Sequence, residues 1–328
     1  MSFNVDKLTQ SFASLSIPDK KPVKKRVSTE YNGMELVVSI LIMNLDIHNA
    51  TDLIEKINDN KVYLNIKFNT INCQTKYIDD ILKKVKILPD YINNIYKSTM
   101  FQSLLLNLNN IVCVYISGKK NTHLEINTLN INLDKKSAKA DIYIKYQNNQ
   151  IIGISVKQSV NCTKTNFSVH KYFPKNTDKN LTIIKKDYLK NQGYSRSNKI
   201  DRSEINSLFY PNNKCNPYWV QLKEAININK HKIANELANA LFCVNIPYDI
   251  YEFNGINFSK LNNNNTISNI IFEEHLPYYL TKNGTERCAA KLFYRLIINN
   301  QIFRIEIRWK GNVYNSSPQF QIHADDAT

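Results

Sequence analysis

The chain has 328 residues, 43% hydrophobic with 19 Tyr and 14 Phe, which is enough apolar side chain to bury the core of one large domain or two ordinary ones and excludes a disordered chain. Lys and Arg number 43 against 28 Asp and Glu, a net charge of +15 that favours a polyanionic partner, although loading with Asn, Ile, Lys and Tyr is also what an AT-biased coding sequence produces. With only 7 Gly, neither GxGxxG nor GxxxxGK[ST], and 6 Cys without CxxC or zinc-finger spacing, dinucleotide, P-loop and structural-zinc readings lose their main support, and a reduced, intracellular protein is expected.

Residues 1–28, with Lys20, Lys21, Lys24, Lys25 and Arg26, read as a flexible basic arm. An apolar block at 30–45 reads as a buried helix; its most apolar stretch, 36–45, is interrupted by Ser39 and Asn44 and falls short of the ~20 residues that cross a bilayer, so no membrane partner is expected. A polar helix is expected at 49–58, a strand at 62–68, an amphipathic helix at 78–88 ended by Pro89, and a helix at 91–109. The middle changes to short β-branched or aromatic runs at 111–117, 140–146 and 151–156, the last two joined by the hairpin turn Gln147-Asn148-Asn149-Gln150. Beyond them a helix is expected at 163–173, a polar basic loop at 185–202, a long helix at 217–243, and strands at 249–253, 290–298 and 303–309. The expected division is 1–28 arm, 29–110 mostly helical, 111–245 central unit, and 246–328 a β-rich part packing on it.

The informative residues are Asp141 and, on the next strand, Gly153-Ile154-Ser155-Val156-Lys157-Gln158. Alternation puts Ser155 and Lys157 on one side of that strand and Ile154 and Val156 on the other. If the two strands pair through the turn, Asp141 at the open end of the first comes near Lys157 at the far end of the second. A carboxylate and an ammonium at the mouth of one hairpin suit metal-assisted phosphodiester hydrolysis. Mg²⁺, or Mn²⁺ in its place, takes oxygen ligands from Asp141, the Val156 carbonyl and phosphate, while Lys157 orients or helps deprotonate the attacking water. An exposed strand end is the other reading of the same residues.

The segment from Lys139-Ala140-Asp141-Ile142 to Ile154-Ser155-Val156-Lys157-Gln158-Ser159 resembles the core of the PD-(D/E)XK nuclease superfamily. The resemblance implies an α/β (α+β) fold: a restriction-endonuclease-like core with a central mixed β-sheet flanked by helices, plus a C-terminal β-rich part. It maps the family's metal-binding acids to Asp141 and position 155, and the family's lysine to Lys157. Position 155 is Ser where the family has Asp or Glu, so a further acid is expected from Glu125, Asp134, Glu30 or Glu35, with Glu125 and Glu35 ranked first.

Near the C-terminus, Phe303-Arg304-Ile305-Glu306-Ile307-Arg308-Trp309-Lys310 resembles the closing strand of several type II restriction endonucleases. Alternation puts Arg304, Glu306 and Arg308 on one face with Lys310 continuing it. Such cations grip phosphates, and Arg reads guanine; a solvated edge strand is the alternative. The densest basic region includes Lys164, Lys171, Lys175, Lys179, Lys185, Lys186, Lys190, Arg196, Lys199 and Arg202, the best DNA-contacting candidate between the two segments. The expected function is therefore a Mg²⁺-dependent endodeoxyribonuclease cutting double-stranded DNA at a specific sequence. The resemblance further implies a homodimer and a cognate DNA methyltransferase in the same genome. The rivals are an inactive nuclease-like DNA-binding protein and a basic packaging protein.

Overall fold

Leu36, Val37, Val38, Ile40, Leu41 and Ile42, interrupted only by Ser39, make a helix apolar nearly all round, and such a helix belongs inside. In the computed structural model, helix α1 (Gly33–Met43) is buried along nearly its whole length. The structure describes residues 31–44, 46–68, 73–105, 110–117, 123–130, 140–158, 165–196, 200–209, 216–243, 246–261, 267–287, 290–310 and 312–325. The basic arm, Glu30, Asp134, Lys164 and Lys199 lie outside them.

Around α1 sit α2 (Ala50–Lys56), α3 (Cys73–Lys83), α4 (Leu88–Lys97) and α5 (Thr99–Leu105), and the chain enters its first sheet through β1 (Ile66–Phe68) and β2 (Ile111–Ile116). After the short α6 (Leu124–Leu129) come β3 (Ile142–Tyr146) and β4 (Ile151–Val156), and β6 (Ile250–Phe253) and β7 (Phe258–Lys260) complete the sheet in the order β1-β2-β3-β4-β6-β7. The sheet is mixed: β3 runs antiparallel to β2 and β4, while β1 with β2 and β4 with β6 are parallel. One face, carrying Ile142, Ile144, Ile152, Ile154, Val156 and Phe253, packs on α1 and its neighbours. Tyr143, Ile151 and Ile250 meet Ile126, Cys243 and Tyr248 from the other side. With both faces covered, all six residues of β4 are buried.

The second sheet is wholly antiparallel. Its strands β5 (Thr165–Ser168), β8 (Ile271–Glu274), β9 (Lys291–Ile298), β10 (Gln301–Arg308) and β11 (Gln319–Ala324) lie in the order β5-β11-β10-β9-β8. Asn299 and Asn300, both at positive φ, make the β9–β10 turn of the kind that suits two-residue hairpins. Helices α7 (Lys175–Asn191), α8 (Arg202–Leu208), α9 (Pro217–Ile228) and α10 (Lys230–Leu241) share a second core with Leu292, Leu296, Ile305, Ile307, Phe320 and Ile322, one face of this sheet. The opposite face carries Lys291, Arg295, Arg304, Glu306, Arg308 and Gln321.

The fold class is mixed α/β, as expected, but the two cores cut across the boundaries at 110 and 245. Strands from both sides of 111–245 join the first sheet, and four helices of that span serve the second. Pro89 does not end a helix; it sits in the first turn of α4, where its missing N–H costs nothing. The helix expected at 91–109 breaks at Ser98, whose backbone is extended, and the one expected at 217–243 breaks at Asn229. Within the segment 163–173 the described residues do not make the expected α-helix: Thr165–Ser168 pairs with β11, so sheet pairing overrides local propensity, and Val169–Tyr172 forms only a short 3-10 turn. The loop expected from Lys185 is instead the end of α7, whose Leu181, Lys185, Tyr188 and Leu189 are buried; the surrounding Lys and Asn hide that spacing.

Candidate active site

The β3–β4 hairpin closes as its sequence predicts. Asn149 takes positive φ and Tyr146 N donates to the Gln150 carbonyl. Ile142 pairs with Ile154, so Asp141, one step before β3, stands opposite Ser155, and its N–H donates to the Ile154 carbonyl at 2.8 Å. Gly153 fixes this approach: a Cβ there would lie 2.7 Å from Ala140 Cβ and 3.0 Å from Tyr248 Cε2. Ala140 therefore rests directly on β4 and holds the next residue, Asp141, at the strand's mouth.

Asp141 Oδ2 accepts from the Val156 N–H at 2.7 Å and from the Ser155 hydroxyl at 3.2 Å, and the Lys157 ammonium stands 3.8 Å away. Lys157 is thus an electrostatic neighbour of the carboxylate rather than its hydrogen-bond donor. What reaches Asp141 from Val156 is its N–H. The Lys157 backbone is pinned on both sides, its N–H to the Phe253 carbonyl at 2.7 Å and its carbonyl to the Tyr91 hydroxyl at 3.2 Å.

Helix α1 delivers Glu35 to the same place. The helix packs closely on α3 because residue 33 is Gly; a Cβ there would lie 2.7 Å from Ile81 N. The Gly33 N–H donates to Asp80 Oδ2 at 2.6 Å, and Asn32 at the N-cap accepts from the Gln158 amide at 3.0 Å, tying the start of α1 to the exit of β4. Glu35 is buried, accepting from the Tyr77 hydroxyl at 3.2 Å. Its carboxyl is held well above the ordinary carboxylate range by burial and by the charge of Asp141, against smaller opposing pulls from Tyr77, Lys157 and Lys84. Asp141 is likewise raised, first by desolvation; Lys157, the Val156 N–H and Ser155 pull it down, and Glu252 pushes it up.

Glu252 is the residue sequence reasoning missed. The parallel register pairs it with Ser155, so Asp141, Ser155 and Glu252 form one polar row across β3, β4 and β6. It is 96 residues beyond Val156 in number, and only the β4–β6 pairing brings it here; the signal in the sequence is an acid inside the otherwise apolar Ile250-Tyr251-Glu252-Phe253, buried at 4% exposure.

Glu125 goes elsewhere. It accepts from the Tyr115 hydroxyl at 2.7 Å and pairs with Lys145 at 2.6 Å, and Lys145 stands four residues along β3 from Asp141, about 13 Å at strand rise. Of the DNA-contact candidates, Arg196 is exposed beyond α7, Arg202 opens α8, and Lys310 is exposed after β10. Arg304 and Arg308 lie on the outer face of the second sheet, flanking Glu306 at 3.9 and 3.6 Å. Lys185 is a correction to the basic-loop reading: it is buried, donates to the Ser316 carbonyl, and burial pushes its ammonium down to about 8. His170 is a core residue bonded to Asp178, Tyr218 and Ser317.

Among the described residues, no group of three or more His, Cys, Asp and Glu side chains is placed to hold a metal ion, and no helix is long and apolar enough to cross a membrane. No known protein family, curated protein or solved structure matches the chain.

Proposed function

We propose that this chain is a Mg²⁺-dependent endonuclease of restriction-endonuclease-like fold that hydrolyses phosphodiester bonds in double-stranded DNA. The observation that carries the reading is the meeting of Glu35, Asp141 and Lys157 at one end of a mixed sheet, with Asp141 and Lys157 supplied by a single hairpin.

The donor chemistry fits a hard divalent cation. Both carboxyls are raised chiefly by desolvation, Glu35 further by Asp141, while Lys157 pulls Asp141 down; a divalent cation would offset the desolvation of both. Asp141 and Glu35 would hold the ion, and Mg²⁺ commonly takes one or two carboxylates and completes its shell with water and phosphate oxygens. When bound, it supplies charge neutralisation of the phosphate and acidification of a water. Ser155 and the Val156 N–H fix the rotamer of Asp141. Lys157 faces the scissile phosphate, offsets its developing charge and orients the attacking water. One such site cuts one strand, so cutting a duplex calls for a homodimer.

Neutral Ser155 favours a second reading, a nuclease-like fold that binds DNA without cutting it. Incubating the purified chain with unmethylated duplex DNA in Mg²⁺ or Mn²⁺ separates the two. Discrete fragments that vanish with EDTA and with Asp141→Asn support hydrolysis at this site. Salt-sensitive retardation of DNA without fragments supports the binding reading, and cleavage that survives Asp141→Asn rules out the site named here.

A further inference from the structure

We infer that the corner between α3 and α4 is a wedge for duplex DNA: Leu82, Val85 and Ile87 enter the stack at a base step while Lys83 and Lys86 hold the phosphates on either side. This rests on the reading of duplex DNA as the substrate of the site at Asp141 and adds to it the element that distorts the duplex beside that site.

The run Ile81-Leu82-Lys83-Lys84-Val85-Lys86-Ile87-Leu88-Pro89 mixes aliphatic side chains with lysines and holds no acid. Ile81 and Leu88 are fully buried and anchor its two ends. Between them the chain turns tightly. The Lys84 N–H donates to the Ile81 carbonyl at 2.8 Å and the Ile87 N–H to the Lys84 carbonyl at 3.0 Å, and the 3-10 turn Val85–Ile87 buries none of its residues. Pro89, in the first turn of α4, fixes the backbone on the far side. Leu82 is 48% exposed, Val85 43% and Ile87 42%. Single exposed aliphatics are ordinary on a protein surface. Three on one short corner, between neighbours that did reach the core, form a ridge that folding has not used.

Both flanks of the corner are tied to the candidate active site. On the α3 side Lys84 bonds Asp80 and stands 3.5 Å from Asn32 Oδ1, the atom that accepts from the Gln158 amide at 3.0 Å, and Glu35 feels its charge. On the α4 side the Tyr91 hydroxyl donates to the Lys157 carbonyl at 3.2 Å. A duplex engaged at Asp141 and Lys157 therefore lies against residues 82–87. Of the nearby acids, Asp80 is bonded by Lys84 and by the Gly33 N–H, and the exposed Asp79 and Asp90 lie before and after the ridge. Lys83 and Lys86 are the exposed charges of the ridge itself. Phosphates take such cations. Aliphatic side chains have no hydrogen bond to offer a base edge, and what they gain from DNA is burial in the stack, as when Leu and Ile open a base step from the minor groove. A corner already fixed at both ends loses little conformational freedom on insertion.

The test is permanganate probing of a duplex fragment bound by the full chain in EDTA, where thymines that lose their stacking become reactive. Affinity is read by gel retardation, and Mg²⁺-dependent cleavage is measured in parallel. Wild type is expected to make thymines reactive on bound DNA. The double variant Val85→Ser, Ile87→Ser changes exposed positions only; it is expected to melt as wild type, to lose the reactive thymines and to bind about tenfold more weakly, the scale of one aliphatic side chain returned to water. Leu82→Ala is the second variant, with the same loss in smaller degree. Lys83→Gln is expected to weaken binding and flatten its salt dependence while bound DNA keeps its reactive thymines. Wild type bound without reactive thymines, or a double variant that keeps them at wild-type affinity, would overturn the inference. So would a DNA-free dimer that the double variant dissociates, since the ridge would then belong to a second copy. Cleavage without reactive thymines would sink this inference and leave the nuclease reading standing. Reactive thymines that vanish in the double variant, without cleavage, would do the reverse, and a chain that retains no DNA would remove both.

Discussion

Two buried glutamates, one beside each sheet, are equally enclosed and oppositely charged in tendency. Glu35 is 9% exposed and Glu306 8%. Burial pushes both carboxyls up, yet Glu306 ends below the ordinary value because Lys291 bonds it at 2.7 Å and His323 and Arg308 add positive charge. Glu35 ends well above it because, besides its burial, the strongest charge acting on it is that of another acid, Asp141. Burial alone therefore says nothing about role; the sign of the neighbours does. The second sheet has neutralised its buried acid from within. At the end of the first sheet two carboxyls, Glu35 and Asp141, are both raised, chiefly by desolvation, with Lys157 as the cation beside Asp141.

The largest expected effect falls on the first region alone: Lys157→Ala lowers the cleavage rate about 10²- to 10⁴-fold in a gel-based time course while leaving DNA retardation in EDTA intact. Loss of retardation as well would mean that Lys157 binds rather than catalyses. Next comes Glu306→Gln, which leaves Lys291 without its buried partner and is expected to cost about 3 kcal/mol in urea denaturation at pH 7. Because the Glu306 carboxyl is held below its ordinary 4.5, its contribution is present above that pH and fades as pH falls through the lowered value; the gap between variant and wild type should close in acid. An intermediate effect is expected of Gly153→Ala, whose Cβ would press on Ala140 and Tyr248 at a cost of about 1–3 kcal/mol, and which should lower cleavage by shifting Asp141. Denaturation alone, with full activity, would separate packing from positioning.

The smallest effect has the opposite sign. Glu35→Gln in EDTA is expected to raise the melting temperature at pH 8. A carboxyl raised above its ordinary 4.5 stabilises the fold only while protonated, and that contribution is lost as pH rises through the folded value. The gain should therefore shrink toward pH 4, and a variant that melts lower at pH 8 would place Glu35 among purely structural acids.

What was legible in the sequence follows from range. The β3–β4 hairpin, Asp141 beside Lys157 and the inward Ile305 and Ile307 all depend on alternation and one turn, and all are present. Between Glu35 and Glu125 the sequence had no means to choose, because the choice depends on packing of α1 over the sheet and against α3, the latter made close by Gly33, and on Lys145 capturing Glu125. Glu252 was invisible for the same reason: parallel pairing of β4 with β6 leaves no turn signal. Helix α7 was hidden by composition, its buried Leu181, Tyr188 and Leu189 scattered among lysines and asparagines, and β5 exists only because β11 pairs with it.

The most direct measurement is calorimetric titration of Mn²⁺ into wild type, Glu35→Gln, Asp141→Asn and Glu306→Gln in the presence of duplex DNA. One site per chain is expected in wild type and in Glu306→Gln, weakened in Glu35→Gln and lost in Asp141→Asn. Equal binding by wild type and Asp141→Asn, or none by wild type, would contradict the assignment of the first sheet's end as an ion-dependent active site.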